Sequence, residues 1–430
     1  MPAESRSITP PPGHRRSLAV ALTVTALAKL AILALGRACQ GQWWLAHLGS
    51  DLSTWRQFFH LVLEGQIPYV HFPKEYPVGA ALLYRGLLVL IGDPDDNERI
   101  LVVHVLVMSA VDVLNAWLFH RSAWRLAPAR ALLLTLCFSL NATALVLSPL
   151  RFEPVILSFV LLGLDAHLRG RPRVAALHWA LGSTLKWFPV FFLAAQEWRA
   201  FMVLRRRWQW LGAALVLAGV TLTFNLPFAL RDWQEHHHLA HWLHPYLFHA
   251  QRPLYWDTLL AVGQLWLGPL PVERFAGLWS LGLMALALFV RPRQSLVDKG
   301  VLICLATLVC NRVYSTQFHL WFYPLLLLGA AHLAAPELRR LLGHFVVLDL
   351  LNIVVYPFAF ARADQEMQGF RPWGAIESGG PGTLVFSLAI VLRTFAVIWL
   401  AIRLLRRPDP EAAEATGDPP RVPSRAARPA

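Results

Sequence analysis

Apolar residues run in long blocks along this chain, and polar ones gather in short clusters between them. Leu18–Leu35 reads as one continuous span, and 99–119, 131–149, 152–168, 209–229, 273–290, 298–310, 318–334, 341–360 and 382–404 continue the pattern. Blocks of about 18 apolar residues or more are long enough to cross a bilayer as a helix. Three blocks do not fit one crossing. Val78–Ile91 is short and interrupted by Arg85, 258–270 is short, and 174–204 is too long for one span and tight for two. The first two read as re-entrant or half-spanning helices. The third reads as a hairpin of short helices broken near Lys186-Trp187-Phe188-Pro189, where proline disrupts the helical ladder.

The pattern predicts an all-α polytopic integral membrane protein, a bundle of roughly 10–13 transmembrane or re-entrant helices with amphipathic outer loops. The membrane-embedded domain covers 18–404. Residues 1–17 and 405–430 are Pro-, Ser-, Ala- and Arg-rich and read as disordered tails. The Arg pair before the first span permits a signal-peptide reading, but the run is too long and lacks a small-residue cleavage site. Two polar inserts stand out: a first outer loop at 39–76 and a second, rich in His and aromatics, at 230–257. Within the first, Leu52–Leu63 carries apolar and aromatic residues at helical spacing, as an amphipathic helix on a membrane surface does.

Composition sharpens this picture. The chain is 56% hydrophobic and only 15% charged, against about 25% charged for a soluble domain. Its 18 tryptophans suit interfacial anchoring. The net charge of +13 reflects no nucleic-acid partner, because the basic residues cluster at helix ends and in short loops. The clusters at 120–130, 169–173, 205–207, 291–293 and 337–340 fall on one side of the alternating topology. By the positive-inside bias that side is cytoplasmic, both termini included. Four cysteines without CxxC spacing give neither a metal site nor a disulfide framework.

The noteworthy polar residues then share the outer face: Asp51, Lys74-Glu75-Tyr76, Arg151-Phe152-Glu153, Lys186, His249-Ala250-Gln251-Arg252 and Asn311–Gln317. Ionisable residues at membrane depth are costly and mark substrate paths. Cations beside acids suit a phosphate-bearing lipid with a base near it. Each has a plainer reading. Asp51 can be a solvated loop acid, Glu75 can pair with Lys74, Arg151 and Glu153 can form an interfacial ion pair, and Lys186 can snorkel. Asp112 and Asp349, inside spans, can relay protons or make helix–helix hydrogen bonds. The His236–His238 run matches no ligand code and suits an interface, so no metal is expected. The sequon Asn141-Ala142-Thr143 lies within a span, where no glycan is attached.

The order of these elements resembles the glycosyltransferase-C superfamily, and within it the polyprenol-phosphate-mannose-dependent mannosyltransferases. The nearest likeness is to the bacterial α-mannosyltransferase branch, and a more distant one is to the catalytic subunit of the first GPI-anchor mannosyltransferase. The resemblance covers roughly residues 45 to 330. It rests on Asp51, Gly65–Tyr69 with Glu75-Tyr76-Pro77, Arg151–Pro154, Lys186–Pro189, Arg252-Pro253-Leu254 and Asn311–Trp321. The chain departs from the family pattern in having a single acid in place of an Asp-x-Asp pair, no second Pro after Tyr76-Pro77, Arg312 for Lys and Phe318 for Tyr.

The resemblance implies a polyprenyl-phosphate-linked sugar as donor, a lipid or glycan acceptor, inversion by single displacement, and no cofactor. It implies Asp51 as general base, Lys186, Arg252 and Arg312 at the donor phosphate, and Glu75, Tyr76, Arg151, Glu153, Ser315 and Gln317 around the substrate. A lipid or sugar transporter or flippase is the alternative. It calls for ionisable residues along a path open to both sides, often with an internal repeat. A non-catalytic scaffold leaves the acid-bearing outer loop and the basic outer turns unexplained.

Overall fold

The computed structural model describes residues 12–39, 50–202, 208–251, 254–268, 276–290, 294–361, 363 and 381–407. The tails at 1–11 and 408–430 and the basic clusters at 205–207 and 291–293 lie outside them. Among the described residues there is no strand, only an isolated bridge between Pro68 and Phe72. Helices follow in the order α1 (Pro12–Ala38), α2 (Ser50–Leu63), α3 (Val78–Ile91), α4 (Asn97–Leu126), α5 (Ala131–Ser139), α6 (Ala142–Val146), α7 (Glu153–Leu168), α8 (Pro172–Ser183) and α9 (Pro189–Met202). They continue through α10 (Gln209–His236), α11 (Ala240–Gln251), α12 (Leu259–Leu267), α13 (Ala276–Phe289), α14 (Leu296–Cys310), α15 (His319–Gly329) and α16 (Ala335–Ile353) to α17 (Pro381–Leu405).

Five described helices are long and apolar enough to cross a membrane: Gly13–Ala38, Asn97–Leu126, Trp210–His236, Ala335–Ala359 and Pro381–Leu405. The protein is thus an all-α chain of multi-pass character. Helices of 9–16 residues make up much of the remainder, such as α7 (16 residues) and α12 (9 residues). Exposed leucines, valines and aromatics such as Val89, Leu278 and Phe395 line the outside. In water such a surface would drive aggregation; against lipid it is at no disadvantage.

Several boundaries follow from local chemistry. Val78–Ile91 forms one short helix, as its apolar run predicts. The 174–204 block divides as expected, with α8 ending at Ser183 and α9 starting at Pro189. Asp96 caps α4 by accepting from the Arg99 amide at 2.9 Å, a standard way to satisfy a free N-terminal amide.

Four expectations need correction. The 131–149 span is not one helix: its two halves bend by 52°, because Asn141 leaves helical geometry and caps α6 by accepting from the Ala144 amide at 2.7 Å. Helix formation starts at Pro12, within the segment read as a tail; a proline is well placed in a first turn, where no amide partner is needed. The second outer loop is mostly helical, since α10 runs to His236 and α11 covers Ala240–Gln251. Finally, α2 does not lay its apolar face on the membrane. Trp55, Phe58 and Phe59 are buried in the protein core, with Trp55 stacked on Tyr84 of α3 at 3.4 Å.

Two buried acids in the apolar helices each hold several partners. Asp112 accepts from Lys29 at 2.6 Å and from Ser148 at 2.7 Å, and Lys29 also donates to the Ala144 carbonyl. Asp349 accepts from the Thr143 hydroxyl at 2.5 Å and from the Ala142 amide at 2.6 Å. Both acids therefore make the helix–helix bonds that the sequence allowed as one reading. Away from these, Asp165 gathers Arg121, Arg125 and Arg169, which joins the basic clusters at 120–130 and 169–173.

One close approach fixes the start of α3. The Gly79 amide donates to the Thr184 carbonyl at 2.8 Å, docking the start of α3 on the α8–α9 turn. A Cβ at Gly79 would lie 2.6 Å from the Thr184 carbonyl oxygen and 2.8 Å from its carbon. Backbone atoms cannot swing aside as a side-chain tip can. Gly79→Ala is therefore expected to lower stability by about 1–3 kcal/mol, the usual range for overpacking, read as a lower thermal midpoint of the detergent-solubilised protein. An unchanged midpoint would mean that α3 does not dock this closely.

Candidate active site

Pro189 and the end of α8 create the turn that carries Lys186. Its ammonium donates to Glu153 Oε1 at 2.5 Å. The pair is nearly sealed from solvent, with side-chain exposures of 12% for Lys186 and 2% for Glu153. Four rings surround the ammonium: Phe318 at 5.0 Å, Phe152 at 5.4 Å, and Tyr76 and Trp321 at 5.5 Å. Ring faces are electron-rich and favour a cation at such distances. The rings brace one another, with Phe188 stacked on Trp321 at 4.4 Å and Tyr76 edge-on to Phe152 at 5.1 Å.

Trp55 of α2 extends this wall, stacked on Tyr76 at 5.7 Å and edge-on to Phe152 at 6.2 Å. Lys74 lies beside it, 4.7 Å above the Trp55 ring, and donates to the Thr54 carbonyl at 3.3 Å. Burial pushes the Lys74 ammonium down to about 8, while the nearby Glu75 carboxylate pulls the other way.

A second cluster joins the 254–258 turn to the segment after α14. The Tyr255 amide donates to the Arg312 carbonyl at 2.7 Å, and the Tyr314 amide to Asp257 Oδ1 at 3.3 Å. Arg393 of α17, wholly buried, sits 3.9 Å over the Tyr314 ring. Its guanidinium donates to the Asp257 carbonyl at 2.5 Å and to Asn352 at 3.3 Å. Asn352 in turn donates to the Thr316 carbonyl at 2.9 Å. His319 bridges Tyr314 and Tyr323 through its two ring nitrogens, at 2.6 and 2.8 Å. A neutral imidazole has one donor and one acceptor, so one tyrosine donates to it and the other accepts.

The structure thus brings together Tyr76, Glu153, Lys186 and the Phe318–Trp321 segment. Ser315, half-buried, and Gln317, buried, directly precede that segment. Arg151 is buried beside Phe152 in sequence. Glu153 pairs with Lys186, and the half-buried Lys186 turns to that carboxylate. Asp51 is in the first turn of α2, one helical turn before Trp55; its side chain, and Arg252 entirely, lie outside the described residues. Arg393, Asn352 and Asp257 were missed by sequence reasoning. An Arg in the middle of the last apolar block was the available signal, since such a charge rarely stays without partners. Metal-ligating geometry among the described residues occurs elsewhere, at Asp232, His236 and His241.

Removing one partner of a buried pair leaves an uncompensated charge and costs about 3–5 kcal/mol. Lys186→Met and Glu153→Gln should each destabilise the protein on that scale, and the double variant should lose clearly less than the sum. Denaturant unfolding of the four proteins measures this; strict additivity would deny the pairing. Lys74 gives a pH test. Its folded value of about 8 lies below its usual 10.5, so the unfolded chain binds more protons between those values and stability should rise with pH across that window. An NMR titration of labelled lysine side chains should show one resonance, absent in Lys74→Arg, with a midpoint near 8. Midpoints all near 10.5 would contradict it.

Compared with known proteins, the chain matches no family model, and no curated protein matches it.

Proposed function

We propose that the protein is a glycosyltransferase of the glycosyltransferase-C type, moving a monosaccharide from a polyprenyl-phosphate donor to a lipid or glycan acceptor hydroxyl. The observation that carries this reading is the convergence on Lys186 of Tyr76, Phe152-Glu153, Phe318 and Trp321. With Lys186 itself, these residues come from four separate stretches that the resemblance singles out. Flat aromatic faces beside an acid–base pair suit the C–H face and hydroxyls of a sugar. The wall they form continues into Trp55 of α2, the helix that begins at Ser50 and bears Asp51 in its first turn.

In this reading Asp51 accepts the acceptor's hydroxyl proton as its oxygen bonds to the anomeric carbon. The bond from that carbon to the phosphate oxygen breaks, and the electron pair leaves with the lipid phosphate. The reaction inverts the anomeric centre. Arg252 and Arg312 stabilise the departing phosphate. An ammonium has three donors and Lys186 commits one to Glu153, so Lys186 serves the phosphate only while shared with that carboxylate. Mannose is the sugar the resemblance favours. The reaction takes place at the extracytoplasmic face of the cell membrane, with both termini cytoplasmic, in keeping with the one-sided basic clusters.

The test is transfer by the purified protein in liposomes containing a labelled polyprenyl-phosphate sugar and lipid acceptors. A general base contributes on the order of 10²–10⁴ in rate. Asp51→Asn should therefore lose at least about 100-fold while the protein still elutes as a folded species. Activity above about a tenth of the parent's, more than the loss of any such base would leave, would transfer the base role to Glu75 or Glu153. The absence of transfer from every polyprenyl-phosphate sugar tried would remove the glycosyltransferase reading.

A further inference from the structure

The turn between α10 and α11 collects three side chains that the site above does not use. Asp232 is wholly buried, and His236 and His241 are 31% and 28% exposed. Asp232 Oδ1 lies 3.1 Å from His236 Nδ1 and 3.4 Å from His241 Nδ1. The ligand atoms of all three residues lie within 4.8 Å of one another. Asp232 Oδ2 accepts from the Trp242 amide at 3.2 Å, which fixes the carboxylate.

We propose that Asp232, His236 and His241 bind a divalent transition-metal ion of the zinc type, with water in the fourth position. Tetrahedral zinc has bonds of about 2.0–2.1 Å to nitrogen and oxygen. The edges of that tetrahedron, the separations between ligand atoms, are then about 3.3 Å. The two measured separations from Asp232 fall on either side of this value. His241 supplies the second observation. Its Nδ1 is buried and makes no hydrogen bond, although it lies 3.4 Å from Asp232 Oδ1. A buried ring nitrogen left without a partner is costly, and an ion held between it and the carboxylate would satisfy it. Two imidazoles and one carboxylate suit zinc or its neighbours better than calcium or magnesium, which take oxygen ligands.

The spacing explains why the triple-histidine run hid this set. His236 follows Asp232 by one helical turn, so both sit on one face of α10. His237 ends the helix in a left-handed conformation (φ 55°), and His238 turns its Nδ1 to the Ala240 amide at 3.3 Å. The third ligand comes from the first turn of α11. Bound metal would clip α10 to α11 next to the first outer loop, where Glu235 already accepts from His71 at 2.8 Å.

The experiment uses the full-length protein, purified with a histidine-free tag and stripped with chelator, then titrated with Co²⁺ as the probe. The parent should bind about one equivalent and develop the intense visible absorption of a tetrahedral site. His236→Ala combined with His241→Ala should weaken Co²⁺ binding at least 100-fold, beyond the 10–100-fold typical of losing an outer-shell partner. His244→Ala, three residues further along α11 and outside the ligand set, should leave the spectrum unchanged. His241→Gln alone, a milder change, should also abolish the tetrahedral spectrum. Failure of the parent to bind Co²⁺, or retention of binding by the double variant, would overturn the proposal whatever the protein's transfer activity.

Discussion

Burying the Lys186–Glu153 pair is the constraint around which the site-bearing half of the bundle is built. Two charges removed from water are costly unless their geometry and surroundings compensate. Here the compensation is the 2.5 Å contact together with four ring faces around the ammonium. Those rings come from the 64–77 loop, the start of α7 and the segment entering α15. Each of these segments must therefore reach the α8–α9 turn. The Gly79–Thr184 contact brings α3, and with it Tyr76 and Pro77, to the same turn. Packing and electrostatics thus demand the same arrangement.

The second buried cation works differently. Arg393 is held by a carbonyl, an amide oxygen and one tyrosine face. Its planar fork spans α17, α16 and the 254–258 turn at once, which a lysine's single point of charge would not do. It thereby fastens the Arg312–Trp321 segment from below, while Phe318 and Trp321 of that segment face Lys186. One chain segment is clamped between two buried cations. This gives a physical reason for the short irregular stretch 311–315 to persist at the end of α14: the Arg312 carbonyl is satisfied by the Tyr255 amide and the Tyr314 amide by the Asp257 side chain.

Much of the architecture was legible in the residues themselves. Hydropathy identifies the membrane class, and the ends of Val78–Ile91 and the break before Pro189 follow from proline, glycine and capping residues that act locally. The 131–149 block shows the limit of that reasoning. Its composition is that of one span, but Asn141 can cap as well as continue a helix, and neighbouring Asp349 settles the choice by binding the freed Ala142 and Thr143 amides. The α2 helix shows the same limit, because an amphipathic face can be covered by lipid or by protein, and only the position of Tyr84 decides between them.

By itself, the sequence determined that the chain is helical and membrane-embedded, where most helices begin and end, and which short polar stretches interrupt them. These properties depend on neighbours within a turn or two. The tertiary structure alone decided which polar residue meets which: Glu153 takes Lys186, Arg393 reaches Asp257 and Asn352, and Asp232 turns toward His241 across the end of α10. Such partnerships join residues far apart in the chain or across a reversal of its direction. No local periodicity encodes them, since the same charge spacing is compatible with several partners until packed helices leave only one within reach.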